Sequence, residues 1–396
     1  MIKLKCEVCS NLGLVEVLNL GDHPLCDDLI KINSSTVCKE YPIKIMYCDN
    51  CCTAFQKYEV SRYELFPKNY HYRARMTGSV LVGMRDLVES SENFLGKLEG
   101  KTILDIGCND GSLLDFFHQK GCNTFGIEPT DAALETNHKT FNIFFDKNAI
   151  NTIKENIGDI DIITFTNVFA HIENFSELLE NLKLIINENT NIIIENHYLG
   201  AVIDKDQFDT FYHEHPRTYS QTSFEYIASR LGLSLLNVQY VNRYGGNIRV
   251  FLGKGNPVIS ATSKEKNFLN QFSIMQKNII KWQAETKKQI YDYVKLNGKI
   301  RAKAFPGRAA ILIKLLDLNE DYISAVYEIK GSIKVGHYVP GTRIPIFPEK
   351  DLYAEANQTE PILNLAWHIA PEVKNNLIAN GYDGEIINIK EMKQFN

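Results

Sequence analysis

The chain has 396 residues, 44% of them hydrophobic and 23% charged, enough to bury more than one core and to form two or three domains. A formal net charge of −5 offers no general attraction for polyanions, so no nucleic-acid partner is expected. No basic-then-apolar leader opens the chain, and no apolar run approaches the roughly 20 residues of a membrane helix, so no membrane partner is expected. Nine cysteines fit a cytoplasmic location if some hold metal, because disulfides rarely persist there.

The first signal is a pair of C-x-x-C knuckles, Cys6-Glu-Val-Cys9 and Cys48-Asp-Asn-Cys51. Each spacing lets two sulfurs reach one ion, and two such pairs close a tetrahedral Zn²⁺ shell with no open position. Cys6, Cys9, Cys48 and Cys51 are therefore expected to hold a structural zinc. Cys52 adjoins the second knuckle, but the spacing favours Cys51, while Cys26 and Cys38 lack a partner at knuckle spacing.

Next comes KTILDIGCNDG, residues 101–111: a short apolar strand, a tight turn, and then a helical SLLDFFHQK. Gly107 and Gly111 allow close approach of the chain to a ligand, with Asp105 at the strand end and Asn109 inside the turn. A second strand, TFGIEP, ends in Glu128, where a carboxylate accepts ribose hydroxyls. The glycines do not follow G-x-G-x-x-G. D-x-G-x-x-x-G before an acidic strand end resembles S-adenosylmethionine-dependent methyltransferases, with Asp105 facing the cationic methionine end of the cofactor. Two more apolar strands follow, one running out into Asn167 and His171 and the other ending in Glu195, Asn196 and His197. In doubly wound sheets such strand ends open onto the ligand crevice.

Residues 208–220, FDTFYHEHPRTYS, then admit three readings: a metal site through His213 and His215, an acid/base site, or a polar corner stabilised by Glu214. The residues alone leave all three open. A helical pattern covers about residues 264–296. KIRAKAF, ISAVYE, RIPIF and EPILNLAW then read as strands of a further α/β unit.

Taken together, CEVC, LGDHPLCDDL, YPIKIMYCDNC, YHYRARMTGS, LDIGCNDGSLL, GIEPT, NVFAHI, FDTFYHEH, RYGGNIRVF, YVPGTRIPI and LAWHIAPEV resemble the nucleotide-sugar C-methyltransferases of deoxysugar biosynthesis, over essentially the whole chain. The resemblance implies an α/β protein with a zinc-binding N-terminal module, a central class I S-adenosylmethionine methyltransferase domain and a second Rossmann-like domain for the sugar nucleotide. The corresponding boundaries are 1–66, 67–258 and 298–396, with a helical connector over 259–297. It implies S-adenosylmethionine and Zn²⁺ as cofactors and a nucleotide-linked 4-keto sugar as substrate, methylated at a ring carbon, with carbon 3 expected.

The resemblance also implies roles. His215 is the expected base, with Tyr212, Glu214, His171 and Tyr72 completing the catalytic set and His213 left without a role. Tyr70, Asn167, Arg249 and Arg308 are expected to contact substrate. Relatives carry a glycine-rich Y-G-A-x-A-K-G turn where this chain has KAFPGRAAI, so that Arg308 falls at the lysine and Ala304 and Ala309 at glycines. Two other functions stay open: methylation of a sugar hydroxyl on the same scaffold, and sugar-nucleotide binding without catalysis. Oligomeric state leaves no trace in the residues.

Overall fold

The computed structural model describes residues 4–70, 72–258, 264–354 and 358–391. The expected 258/259 boundary adjoins residues 259–263, which lie outside that set. Alternation in YPIKIMYC builds the first sheet. Ile43, Ile45 and Tyr47 turn to one face, and Met46 and Cys48 to the other. The sheet runs Leu14–Pro24, Glu40–Cys48, Thr53–Gln56, all antiparallel, and is completed from far along the chain by the two-residue strand Arg217–Thr218. Both faces carry buried apolar side chains: one set packs on the long helix and the C-terminal unit, the other on the central unit.

The central sheet has seven strands. In spatial order they are Ser234–Val241, Asn247–Gly253, Asn191–His197, Ile162–Thr166, Thr102–Ile106, Asn123–Ile127 and Lys139–Phe141. Counted along this unit the order is 6-7-5-4-1-2-3, parallel except for Asn247–Gly253, which runs antiparallel to both neighbours. The runs ILDI, IITF and NIIIE are buried because helices cover both faces of a parallel sheet. Ser220 starts the helix Gln221–Leu231 with a capping box, and Gly232 ends it at φ 71.

The helix Phe268–Asn297 is 30 residues long and buries Phe268, Phe272, Met275 and Ile279, a 4-3-4 spacing that forms one stripe. Phe272 meets Tyr47 and Phe211, and Trp282 meets Phe208, so the helix clamps the first sheet to the segment before residue 212. Beyond it lies an all-parallel sheet of Ile346–Pro348, Ile323–Glu328, Ile300–Lys303, Ile362–Asn364 and Ile386–Asn388. Its own order is 3-2-1-4-5, so the strand order reverses beside Ile300–Lys303. The last strand carries no clear pattern in sequence and was not expected.

Ala304, which follows the first strand of that sheet, holds φ at +61. The backbone thus keeps the left-handed bend for which relatives are expected to use glycine, at the cost of a Cβ in an unfavourable place. Ala304→Gly is expected to raise stability by about 0.5–1 kcal/mol, relief of the Cβ clash outweighing the added unfolded-chain entropy. Thermal melting checks this, and a lower midpoint would show that Ala304 bears no strain.

Candidate functional site

Residues 208–215 are placed by their apolar members. Phe208 and Phe211 are buried under the long helix, which pins the backbone of a single 3-10 turn, Phe208–Thr210. Gln56 of the first sheet donates its side-chain amide to the carbonyls of Phe211 and Tyr212 at 3.3 and 3.4 Å. Its backbone N–H donates to the Pro216 carbonyl at 2.9 Å. Tyr212, Glu214 and His215 then face a cavity of about 690 Å³ walled by all three units. His213 turns the other way, to the Tyr41 carbonyl at 3.0 Å, and stands outside that cavity. Among the described residues the only side chains gathered closely enough to hold a metal are four cysteines, so His213 and His215 are not a metal pair.

His215 lies 2.8 Å through Nδ1 from the Thr210 carbonyl. A carbonyl only accepts, so Nδ1 carries the proton and Nε2 of the neutral ring keeps its lone pair. Burial pushes His215 down to about 4, helped by the Arg308 charge and opposed by the Thr210 carbonyl. Its ring centroid is 4.2 Å from Tyr212, 4.9 Å from His171 and 5.2 Å from His197. Burial, with His215 nearby, holds both flanking histidines well below the usual range. Nε2 of His171 and Nδ1 of His197 have no hydrogen-bond partner among the described residues, although both atoms are buried. Phe66 stacks on His171 at 5.4 Å.

Glu214 accepts the Tyr70 hydroxyl at 3.1 Å. Burial, with the Asp27 charge adding to it, raises its pKa to about 8. Near neutral pH it is an acid able to donate a hydrogen bond. Tyr70 thus sits deeper among the reactive groups than Tyr72, which is 40% exposed at the cavity edge, the reverse of the expected assignment.

The other end of the cavity is the turn after Thr102–Ile106. Gly107 holds φ +74, and a Cβ there would meet Val168 at 2.6 Å, so only glycine fits. Glu128 accepts the Thr130 N–H and hydroxyl on Oε1, at 2.9 and 2.6 Å, and the Asn109 N–H on Oε2, at 3.0 Å. A carboxylate offers about four lone-pair sites, so Oε2 retains one for a ribose hydroxyl. Asp105 accepts Thr164 at 2.7 Å, and burial pushes it up to about 7, Glu128 adding to the shift. Such a carboxyl gains by meeting a cation, which suits the sulfonium of S-adenosylmethionine. The Asn109 side chain is turned from the cradle: it accepts the Ala74 N–H at 2.9 Å and donates to the Tyr72 carbonyl at 3.0 Å, strapping residues 72–76 over the turn.

Three expectations need correction. Gly111 does not line the cavity. It starts the helix Ser112–Gln119 at φ +80, where a Cβ would strike Thr136 at 2.4 Å. Arg249 is buried away from the cavity, paired with Glu195 at 2.8 Å and Asp86 at 2.8 Å. Arg308 reaches the cavity, but its guanidinium grips Asp209 with two bonds, 2.8 and 2.6 Å, and donates to the Thr210 hydroxyl oxygen at 2.9 Å. Burial opposes the Asp209 charge, yet Arg308 keeps it ionised, and Trp367 Nε1 donates to it at 2.9 Å. A bidentate carboxylate neutralises the charge expected for a diphosphate. Asn167 lines the cavity at φ 54 and accepts the Asn247 amide at 3.1 Å.

Asp27, Tyr244, Glu328 and His368 also line the cavity and were not singled out. Tyr244 carries a positive φ of 49 just before Gly245-Gly246, a signal the sequence did offer. The others arrive by docking of distant segments and left no local pattern.

The sulfurs of Cys6, Cys9, Cys48 and Cys51 all lie within 4.8 Å of one another, and every cysteine is a free thiol. Zn–S bonds of about 2.3 Å place tetrahedral sulfurs ~3.8 Å apart, so the set fits zinc. Buried Arg217 ties this knuckle to the cavity. It binds Glu7 at 2.8 Å and the carbonyls of Ile172 and Glu173, next to His171, at 2.6 Å each. Stripping zinc with a strong chelator is therefore expected to abolish catalysis as well as unravel residues 4–56. Metal content and turnover measured on the same samples check this, and full turnover without zinc would refute it.

Three family models match in series: a zinc binding domain over residues 6–66, a methyltransferase domain over 83–238 and a C-methyltransferase C-terminal domain over 243–387. C-methyltransferase NovU of Streptomyces niveus is 25% identical over 392 residues, covering 94% of this chain and 91% of its own. Among solved structures, the magnesium protoporphyrin IX methyltransferase of Synechocystis with bound S-adenosylhomocysteine aligns over 44% of this chain and 84% of its own, at 16% identity and TM-score 0.35. The 1,6-didemethyltoxoflavin-N1-methyltransferase of Burkholderia thailandensis aligns over 52% and 96%, at 12% identity and TM-score 0.38. With its four-cysteine knuckle, its seven-stranded central sheet and these three consecutive matches, the chain has the domain layout of an S-adenosylmethionine-dependent methyltransferase with a zinc-binding N-terminal domain and a C-methyltransferase C-terminal domain.

Proposed function

We propose that the protein methylates a ring carbon of a nucleotide-linked 4-keto deoxysugar, with carbon 3, next to the ketone, as the acceptor. The observation that carries this reading is His215: a neutral, buried imidazole with one nitrogen fixed as donor, facing the same cavity as the Asp105–Glu128 cradle. Making carbon nucleophilic requires removal of a proton next to a carbonyl and stabilisation of the resulting enolate oxygen. S-adenosylmethionine, when bound at the 107–111 turn, supplies an electrophilic methyl group. His215 Nε2 takes the proton from the sugar carbon. Tyr212 and protonated Glu214 provide hydrogen-bond donors for the enolate oxygen, Tyr70 holds Glu214 in place through its hydroxyl, and His171 adds a further polar group beside them. The apolar wall of Phe66, Val168 and Ile172 keeps bulk water from the carbanion.

His215→Ala is expected to lower kcat by about 10²–10⁴-fold while S-adenosylmethionine binding, read by calorimetry, stays within about twofold. Parallel loss of binding would mark a folding defect and remove the catalytic role. Wild-type enzyme incubated in heavy water with a 4-keto sugar nucleotide is expected to place deuterium at the acidic carbon, and NMR of the product to show a C-methyl group. An O-methyl signal would overturn the carbon assignment.

The pH profile follows from the same burial. His215 must be neutral to act, so kcat falls as pH drops through about 4, far below the ordinary histidine value. Glu214 must be protonated to donate, so kcat falls again as pH rises through about 8. An acid limb at 6.5 would show that His215 is not buried in the working enzyme.

A further inference from the structure

The C-terminal sheet repeats the arrangement of the cofactor unit around its own first strand. Counted within each unit, five strands run 3-2-1-4-5 in both. In the cofactor unit the second strand, Asn123–Ile127, hands on to Glu128, which accepts the Asn109 N–H. In the C-terminal unit the second strand, Ile323–Glu328, ends in Glu328, which accepts the Phe305 N–H on Oε1. Each amide belongs to the turn after the first strand, and each turn carries a non-glycine residue in the left-handed region, Asn109 at φ 52 and Ala304 at φ 61. Both carboxylates line the same cavity.

The place is the one at which a doubly wound sheet reads ribose. Glu328 is also suitably unsaturated. Among the described residues Oε1 accepts only the Phe305 N–H and Oε2 only the Ile329 N–H at 3.3 Å, so each oxygen keeps one lone-pair site. Two adjacent acceptors are what the two hydroxyls of a vicinal diol need. Beside the carboxylate the cavity wall is apolar and open: Ile329 and Ile333 are each 50% exposed, and Met76 reaches across to Gly331. Such a surface suits the face of a nucleobase. Lys330, on the same loop, brings positive charge to a region where Arg308 is already neutralised by Asp209 and Lys334 is held by the Phe305 carbonyl at 2.8 Å and Asp27 at 3.9 Å.

We propose that Glu328 binds the 2′,3′-diol of the substrate's nucleotide, so that the enzyme takes a ribonucleoside diphosphate sugar in preference to its 2′-deoxy counterpart. The inference rests on the sugar-nucleotide reading above and adds the class of nucleotide.

The test is calorimetry on the full chain, loaded with zinc, using uridine, cytidine, guanosine and adenosine diphosphates, each against its 2′-deoxy form. At least one ribonucleotide is expected to bind about 10-fold tighter than its deoxy partner, the scale of one lost hydrogen bond to a charged group. Glu328→Gln, which still accepts the Phe305 amide, is expected to erase that ratio while S-adenosylmethionine affinity is unchanged. Glu328→Asp, with the carboxylate drawn back by one methylene, is expected to do the same. Equal affinity of both forms for the wild type, or a ratio that survives in Glu328→Gln, overturns the diol assignment and leaves the sugar-nucleotide reading standing. If no nucleoside diphosphate binds to protein that binds S-adenosylmethionine, both fall together.

Discussion

Arg217 and Thr218 pair with Phe55 and Ala54 across an antiparallel ladder, joining a strand from the middle of the chain to a sheet flanked by the four clustered cysteines. The reactive segment lies immediately before this pairing, between Phe211 and Pro216. Its backbone is therefore gripped from both sides, by buried phenylalanines and Gln56 upstream and by the ladder downstream. A histidine on a free loop would wander by ångströms. Here the ring is located to the extent that a zinc-anchored sheet is rigid, and this explains why a closed metal site with no chemistry of its own accompanies a transferase.

Electrostatics follows from the same enclosure. Three histidines share one buried region with two carboxyls, Asp105 and Glu214, whose protons are held more tightly than usual. Water is the common missing term: without it, neutral forms win, so imidazoles stay basic lone-pair donors and carboxyls stay acids. The exception is Asp209, kept ionised by the Arg308 fork. The cavity thus holds neutral acids and bases side by side, while the Asp209–Arg308 pair sits in the wall and fixes the C-terminal unit against the reactive segment.

Much of this was legible in the residues, for reasons that differ from place to place. The thiolate knuckles and the GCNDG turn announce themselves because a few adjacent positions must satisfy a ligand geometry. Apolar strands of the two parallel sheets stand out because both their faces are covered. Arg217–Thr218 gave no sign, since two residues carry no periodicity. The fate of Arg308 was equally hidden: a guanidinium in a turn looks ready for phosphate until a carboxylate 99 residues earlier in the chain arrives beside it. Arg249 misled in the same way, as its partners Glu195 and Asp86 come from a different strand and a helix. His215 was identified through resemblance, and only the fold explains the tautomer it adopts.

The Asp209–Arg308 pair has a consequence for biosynthesis. A ribosome delivers residue 209 well before residue 308, so a nascent chain whose central unit has begun to close holds a carboxylate with no cation to answer it. Closing around that lone charge is unfavourable by several kcal/mol. Sealing of the pocket is therefore expected to wait for the last unit, and a chain cut short before Arg308 leaves Asp209 without its ion-pair partner.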